Sequence, residues 1–421
     1  MVVLGFSLTF AANSKDKSSM KQLTAIILLI ASVLFTACQK DYEHKTVLCI
    51  PVYGQSLALG EEAERITDFD SLSAYADGRI VTENLDHGFG YFENDNIKHW
   101  IKKTTGYQKR AYELSIYKMA QVLADQFGED TLICIFPGGQ GATAIANLSK
   151  GTIPYQRFIE NIQSAYETAQ ERGWDFLIPA ICWMQGESDI VDYPDTDYKQ
   201  MLTKIWKDMN TDILQLTGQE DSIRFICYQA NSLSRAEHFN ANNFQCKETA
   251  VPQTFVELLR GDNRFWASGP TYPYTCVGEK IHIDAQGQQA IGKLAAQSVI
   301  EILRGIERYR GLIPTEVKTE GDAVIIQFNT KGVSLTLDTI QVRKAENYGF
   351  SVINKGNKDI LSSIDIDTST VRITCIEPPI DCKVRYAVNG DYMKSGNLHG
   401  PRGNLRDSLG NWCYQFDMPC K

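Results

Sequence analysis

The stretch DFLIPAICWMQGESD, residues 175–189, decides the fold. Its first half is an apolar run, interrupted by Pro179, with the length and composition of a strand buried on both faces of a sheet. Its second half changes to the polar sequence QGESD. Polar side chains are costly to bury unless they are hydrogen-bonded, so this pattern predicts a buried strand that ends at a functional edge.

Further apolar runs and helical patterns alternate on both sides of this stretch. Strands are predicted at 46–54, 131–139 and 222–230, and helices at 111–128, 153–173, 198–218 and 285–309. Such alternation indicates βαβ units, and hence an α/β fold with a parallel sheet and helices on both faces. The stretch from 61 to about 110 has no regular pattern. It is predicted to be a loop that either shelters a substrate or packs on its own core.

The pattern changes after Pro314. Short runs such as AVIIQFN and KVRYAVN, with polar residues between them and no helical period, predict a C-terminal β-sandwich. The predicted domains are therefore 46–312, of the α/β type, and 313–421, of the β-sandwich type.

The N-terminus has the pattern of an export signal. Lys21 precedes a 15-residue apolar run, and FTAC, residues 35–38, resembles the lipobox of bacterial lipoproteins. A signal peptide is therefore predicted at 1–37, with its natural start at Met20, followed by lipidation of Cys38 and a tether at 38–45. The alternative is an uncleaved anchor helix. The first interpretation predicts an envelope lipoprotein on the periplasmic side or on the outer-membrane surface, anchored to the membrane by lipid.

The charge of the chain and its cysteine and histidine spacing argue against two kinds of function, nucleic-acid binding and zinc binding. The net charge is −9 and no basic cluster stands out, which argues against a nucleic-acid partner. No CxxC or HExxH motif is present among the eleven cysteines and six histidines, so a zinc site is not indicated. An exported chain can form disulfides, and Cys375–Cys382 and Cys413–Cys420 are the nearest local candidates, although the connectivity stays open.

Chemically useful residues follow three of the predicted strands and precede the last helix. Ser56 offers a hydroxyl, which needs a base to become a nucleophile, and His282 has the ordinary pKa of such a base. Glu279 lies three residues before His282 and is a candidate to orient its ring. Backbone N–H groups in the loop at 138–141 and the side-chain amide of Gln185 are candidates for an oxyanion hole.

These motifs, in this order, resemble those of SGNH-type hydrolases, and most closely those of the sialate O-acetylesterase and acetylxylan esterase group of carbohydrate esterases. The matching segments are GQS at 54–56, YELSI at 112–116, GATAI at 141–145, WMQGESD at 183–189 and IHIDAQGQQAIG at 281–292. The resemblance covers about 46–305. It implies a three-layer SGNH-type sheet and a serine esterase that removes O-acetyl groups from a glycan without a metal or cofactor.

The resemblance also assigns roles to individual residues. Ser56 would be the nucleophile, and its N–H would form the oxyanion hole with Gln185 and with Gly141 or Gly139. The family has an aspartate where this chain has Glu279, so Asp284 or a backbone carbonyl are alternatives for orienting His282. Position along the chain suggests further roles, apart from the resemblance. Glu187 and Asp189 are predicted to be structural and to hold the loop after their strand, and the candidates for sugar contacts at the end of a further strand are Tyr228, Gln229 and Asn231.

Two other functions fit parts of the sequence. The departure at Glu279 also fits a catalytically inactive lipoprotein that binds glycans. An SGNH hydrolase that acts on a lipid ester is the third hypothesis, but the polar strand ends argue against a long apolar groove.

Overall fold

The computed structural model of the chain describes residues 43–84, 88–94, 102, 105, 112–306 and 311–421. The predicted signal peptide, Cys38 and most of the tether lie outside the described residues, so export and lipidation stay predictions. Residues His44–Lys421 form one compact unit, which carries all the elements that follow. Within the described residues, none of the helices combines the length and apolar character that a membrane crossing needs.

The first part of this unit alternates strands and helices. Its strands are β1 (Thr46–Cys49), β2 (Val52–Gly54), β3 (Ile80–Asn84), β4 (Gly88–Tyr91), β5 (Thr131–Cys134), β6 (Pro137–Gly139), β7 (Asp175–Leu177), β8 (Ala180–Met184), β9 (Arg224–Gln229) and β10 (Phe265–Pro270). Its helices are α1 (Ser73–Ala76), α2 (Ser115–Gln126), α3 (Ile153–Glu171), α4 (Glu187–Asp192), α5 (Tyr198–Thr217), α6 (Ala250–Gly261) and α7 (Ala285–Leu303).

The strands form two five-stranded groups, in the orders β4-β3-β5-β1-β7 and β10-β9-β8-β2-β6. All pairings are parallel except β3 with β4. Backbone hydrogen bonds from Ile50 N to Cys134 O and from Val52 N to Phe136 O continue the pairing across the gap between the groups. Pro179 lies in the gap between β7 and β8, where it removes no ladder hydrogen bond.

Helices cover both faces of this sheet. Helices α2 and α7 pack against each other, and α3, α5 and α6 form a second group. Among the described residues, both groups contact β3, β9 and β10 while neither group packs against the other, so they lie on opposite faces. The predicted α/β class with a flanked parallel sheet is confirmed.

The second part of the unit is antiparallel. Its strands are β11 (Pro314–Glu320), β12 (Ala323–Phe328), β13 (Leu335–Leu337), β14 (Phe350–Ile353), β15 (Leu361–Ile366), β16 (Thr370–Cys375), β17 (Lys383–Tyr386), β18 (Leu405–Asp407) and β19 (Phe416–Pro419). They form sheets in the orders β11-β12-β16-β15, β14-β17-β19 and β13-β18. The apolar core of these sheets also contains Val256 and Leu259 of α6, so the two parts share a core. The predicted domain limits stay predictions.

The prediction of an irregular stretch at 61–110 is wrong in part, because β3, β4 and α1 lie within it. β3 pairs with β5 and so extends the parallel sheet. Its apolar run is too short to show a recognisable strand pattern in the sequence. Phe92 packs among the rings of Phe69, Tyr75 and Tyr117, which favours the packed-core interpretation for this part. The same stretch also contains His87, His99 and Trp100, which lie outside the described residues.

The local disulfides are not formed. All ten cysteines from Cys49 to Cys420 are free thiols, including both members of the pairs Cys375–Cys382 and Cys413–Cys420.

Candidate active site

Ser56 lies just beyond β2, at the carboxyl edge of the parallel sheet. The position two residues before Ser56, Gly54, has no room for a side chain. A Cβ on Gly54 would lie 2.0 Å from the carbonyl oxygen of Met184 in β8, and a Cβ on Gly139 in β6 would lie 1.9 Å from the carbonyl oxygen of Gly54. The close approach of these three strands brings the segments that follow them, among them Ser56 and the glycine-rich loop, to one edge.

A hydrogen-bonded chain of three side chains starts at this serine. Nε2 of His282 lies 2.8 Å from Oγ of Ser56, and Nδ1 of His282 lies 2.8 Å from Oε2 of Glu62. The histidine is on the segment between β10 and α7, where Val277 N–H donates to its backbone carbonyl. The order serine, imidazole, carboxylate is the arrangement that activates a serine hydroxyl.

The structure corrects the third member of this group, because it places neither Glu279 nor Asp284 against His282. Glu279 pairs with Lys394, and its other carboxylate oxygen lies 3.5 Å from Nε2 of His399. Oδ1 of Asp284 accepts the Gly287 N–H at 2.8 Å and caps α7. The imidazole ring instead points across the cleft to the loop that follows Ser56.

Glu62 is the residue that sequence reasoning missed. It lies six positions after Ser56, on a turn in which the Leu59 and Glu61 N–H groups both donate to the Ser56 carbonyl. Its φ of +64° is unusual for a residue with a side chain, and such backbone strain is typical of functional sites. The signal available in the sequence was an acidic pair, at 61 and 62, on the loop that follows Ser56.

The carboxylates of Glu62 and Glu279 have different hydrogen-bond partners. The hydrogen bond from His282 lowers the pKa of Glu62, and the hydrogen bond from Lys394 lowers the pKa of Glu279. Both carboxylates are therefore ionised near neutral pH. Of the two, only the charge of Glu62 lies next to the imidazole of His282.

The predicted oxyanion hole is corrected at Gln185. This side chain is fully buried, and its Nε2 donates to the Thr143 carbonyl and to Asp189 while its Oε1 accepts from Tyr198. Both amide protons are thus used inside the protein, so Gln185 shapes the neighbouring loop instead of facing a substrate. Within the described residues, the N–H groups of Ser56 and Gly141 donate to no protein acceptor. Both residues line the cleft, whereas Gly139 is buried in β6.

Asp189 fixes the glycine-rich loop, as its predicted structural role requires. Its Oδ2 accepts the Ile145 N–H at 2.9 Å and the Gln185 amide, which ties the loop after β6 to the loop after β8. Burial raises the pKa of this carboxyl.

Glu187 is buried at the start of α4 and lines the cleft. The hydroxyl of Tyr228 donates to its carboxylate, with O···O distances of 2.6 and 2.5 Å. Burial raises the pKa of Glu187 to about 7, because an ionised carboxylate loses its hydration there. Tyr228, a candidate for sugar contact, is therefore committed to Glu187.

The raised pKa of Glu187 makes stability depend on pH. Its folded pKa is above the unfolded value of about 4.3, so its contribution to stability is fully present below about pH 4.3 and is lost as the pH rises through 7, by about 4 kcal/mol in total. Glu187→Gln has no proton to lose, so its free energy of unfolding relative to wild type should rise by a similar amount between pH 4.5 and 8.

Denaturant unfolding of both proteins across this range measures the effect. Glu257→Gln, which removes an exposed partner of Lys199, is the control and should show a small difference at every pH. A difference between Glu187→Gln and wild type that does not change with pH would contradict the assignment.

The candidates Gln229 and Asn231 do not face the cleft, so their predicted sugar contacts are corrected. Nε2 of Gln229 donates to the carbonyls of Pro252 and Gln415, and Nδ2 of Asn231 donates to Oε1 of Gln415. Both side chains are buried. They therefore join the α/β part to the C-terminal sheets instead of binding a ligand.

The site opens into a cleft of about 540 Å³. Ser56, Glu62 and His282 line it together with polar residues that include Gln55, Gln140 and Asp192. Among the described residues, no group of three histidine, cysteine or acidic side chains is arranged to hold a metal ion. The cleft thus combines a hydroxyl, an imidazole, a carboxylate and free backbone N–H groups, which is the equipment for acyl transfer.

The chain is similar to known proteins both in sequence, over part of its length, and in structure. Residues 115–301 match a family described as carbohydrate esterase, sialic acid-specific acetylesterase. Comparison of the sequence with curated proteins finds no match.

Among solved structures, a carbohydrate acetylesterase from Xanthomonas citri matches with a TM-score of 0.59 and 14% identity, over 89% of this chain and 80% of that one. A protein from Arabidopsis thaliana matches with a TM-score of 0.45 and 16% identity, over 62% and 99% of the two chains. The protein NanS matches with a TM-score of 0.44 and 13% identity, over 63% and 99%. At this identity, the Xanthomonas citri structure supports the fold.

Proposed function

We propose that this carboxylic-ester hydrolase, whose residues 115–301 belong to the carbohydrate esterase family of sialic acid-specific acetylesterases, removes O-acetyl groups from a glycan with Ser56 as nucleophile. The observation that carries the proposal is the chain of hydrogen bonds from Ser56 through His282 to Glu62. A serine hydroxyl becomes nucleophilic when an adjacent base takes its proton, and this geometry supplies the base.

The first half of the reaction forms an acetyl-enzyme. Nε2 of His282 accepts the Ser56 proton while Oγ bonds to the acetyl carbonyl carbon. Glu62 accepts the Nδ1–H, which keeps Nε2 free as the base and then stabilises the imidazolium. The tetrahedral intermediate collapses as the bond between the acetyl carbon and the sugar oxygen breaks, and the imidazolium returns its proton to that oxygen.

The second half releases acetate. His282 takes a proton from a water molecule, and the resulting hydroxide attacks the acetyl carbon of the Ser56 ester. The second tetrahedral intermediate collapses with cleavage of the bond to Oγ, which regains its proton from His282. In both halves the negative oxygen lies near the N–H groups of Ser56 and Gly141, and removal of one such donor typically costs about 3 kcal/mol of transition-state stabilisation.

The cleft offers polar groups to a carbohydrate substrate. Amide and carboxylate side chains, among them Gln140 and Asp192, line it and can pair with sugar hydroxyls. The hypothesis of an inactive glycan-binding protein was motivated by the lack of the family's aspartate before His282. Glu62 supplies a carboxylate at Nδ1 of His282, which removes that motivation. The family name and the related acetylesterase from Xanthomonas citri support an acetyl ester of a glycan, with sialic acid and xylan as the classes to test.

The experiment that tests the proposed function is acetate release from a panel of acetylated glycans. The panel contains acetylated xylan, O-acetylated sialic acid and acetylated manno- and cello-oligosaccharides, with 4-nitrophenyl acetate as a small acetyl ester. We expect acetate release from at least one glycan and from the nitrophenyl ester. Binding of a glycan with no acetate release from any substrate would instead support the inactive binding protein.

A further inference from the structure

A second cavity adjoins the catalytic cleft. It has a volume of about 620 Å³ and shares two lining residues with the cleft, Val191 and Asp192 at the end of α4. From this shared wall it extends over Tyr193 to Arg235 and His238. The two cavities are therefore neighbours, with Val191 and Asp192 between the cleft that contains Ser56 and the cavity beyond the end of α4.

The lining of this second cavity suits a sugar ring. The side chain of Tyr193 is exposed, with 54% of the residue's surface accessible, and it presents a flat apolar face beside polar groups. Asp192, Glu237 and His238 are also exposed and can exchange hydrogen bonds with hydroxyls. A sugar unit has both an apolar C–H face and a rim of hydroxyls, so this combination matches it better than it matches an acyl chain.

The second cavity is held in a fixed position relative to Ser56. Helix α4 begins behind the nucleophile, where the Ser188 N–H donates to Oε1 of Gln55 at 3.3 Å. It ends at Asp192, and the N–H of the following residue, Tyr193, donates to the carbonyl of Asp189 at 3.2 Å. On the opposite wall, Nη1 of Arg235 donates to the carbonyl of Met393 at 2.7 Å, so the C-terminal part of the chain braces this side.

We propose that the second cavity, built around Tyr193, is a subsite for a neighbouring sugar of the glycan chain whose acetylated unit lies at Ser56. The inference rests on the proposed function and deepens it: the substrate is an oligomeric or polymeric glycan in preference to a free monosaccharide. Contacts remote from the reacting ester hold the acetyl group in position, so they raise the rate of the reaction as well as substrate affinity.

The test compares chain length within one glycan series. We would measure kcat/KM for acetate release from partially acetylated xylo-, manno- and cello-tetraoses and from the corresponding acetylated methyl monosaccharides. The quantity of interest is the ratio of kcat/KM for tetramer to monomer, because any general loss of active enzyme cancels in it. The variants are Tyr193→Ala and, as a matched control, Tyr91→Ala, which removes an exposed tyrosine on β4.

We expect the wild-type ratio to exceed one in the series that is turned over, and Tyr193→Ala to lower it by on the order of two- to tenfold, the size that aromatic contacts carry. Tyr91→Ala should keep the wild-type ratio. A ratio near one in every active series, or a ratio unchanged in Tyr193→Ala, would overturn the subsite. Turnover of 4-nitrophenyl acetate without turnover of any glycan would also overturn it, whereas no turnover of any ester would overturn the proposed function itself.

Discussion

Ser56→Ala is expected to lower kcat for acetate release by on the order of 10⁶-fold, the loss that follows removal of the nucleophile from a serine–histidine–acid group. The physical reason is that no other hydroxyl is hydrogen-bonded to Nε2 of His282 among the described residues. The removed atom makes one hydrogen bond at the edge of a cleft, so stability should change by less than about 1.5 kcal/mol. Acetate release and thermal unfolding, measured on the same preparation, check both parts.

Ser188→Ala is the matched control for this variant. Ser188 is the other serine that lines the cleft, and its side chain has no hydrogen bond to His282. Its rate should stay far closer to that of wild type than the rate of Ser56→Ala. If Ser56→Ala kept a rate similar to wild type while folded, the nucleophile would have to be another residue.

Glu62→Gln is expected to lower kcat by on the order of 10²- to 10⁴-fold with little change in KM. Glutamine keeps the size of the side chain but has no charge to stabilise the imidazolium, and it can also turn its amide towards Nδ1, which favours the wrong tautomer. A loss of about 10⁴ is known where the orienting acid is buried. The side chain of Glu62 is 40% exposed, so water can replace part of its effect, and we expect a loss towards the lower end of the range.

Glu279→Gln separates this account from the one that the sequence suggested. Glu279 pairs with Lys394 at the junction with the C-terminal part, and partly exposed pairs of this kind contribute little. We therefore expect kcat for Glu279→Gln within about threefold of wild type, equivalent to less than about 1 kcal/mol. A large loss in Glu279→Gln together with a small loss in Glu62→Gln would reverse the assignment.

Local patterns were sufficient for the fold class and for two of the three side chains that the structure joins by hydrogen bonds at the candidate site. Ser56 was predictable because a buried apolar run ends at Gly54, and a glycine there lets neighbouring strands approach. His282 was predictable because it lies just before the last amphipathic helix, on the edge where the strands end. Both inferences need only the chain within a few residues of the site.

The residues that sequence reasoning misplaced depend on contacts that no local pattern records. Spacing favoured Glu279, three positions from His282, yet the imidazole turns to Glu62, which is 220 positions away. Gln229 and Asn231 are candidates for sugar contacts in the sequence because they follow a predicted strand, at the edge where ligands bind. Their partner is Gln415, 186 and 184 positions later. The hydrogen bonds of these two amides depend on the fold of the C-terminal part, which the sequence around residues 229–231 does not record.

The same reasoning explains Gln185. As a buried amide in a polar motif it looked available to an oxyanion, but three partners already use it: Thr143, Asp189 and Tyr198. Its contribution is to hold the loop that presents Gly141. A motif can therefore be diagnostic of a family while some of its polar residues act only by positioning others.

The most direct measurement of the central claim is the position of the acetyl group on the enzyme during turnover. Wild-type protein mixed with 4-nitrophenyl acetate, quenched with acid within the first turnovers and digested, can be read by mass spectrometry. The account predicts one acetyl group on the peptide that contains Ser56, and its absence in Ser56→Ala. An acetyl group on a different residue, or rapid acetate release by Ser56→Ala, would contradict it.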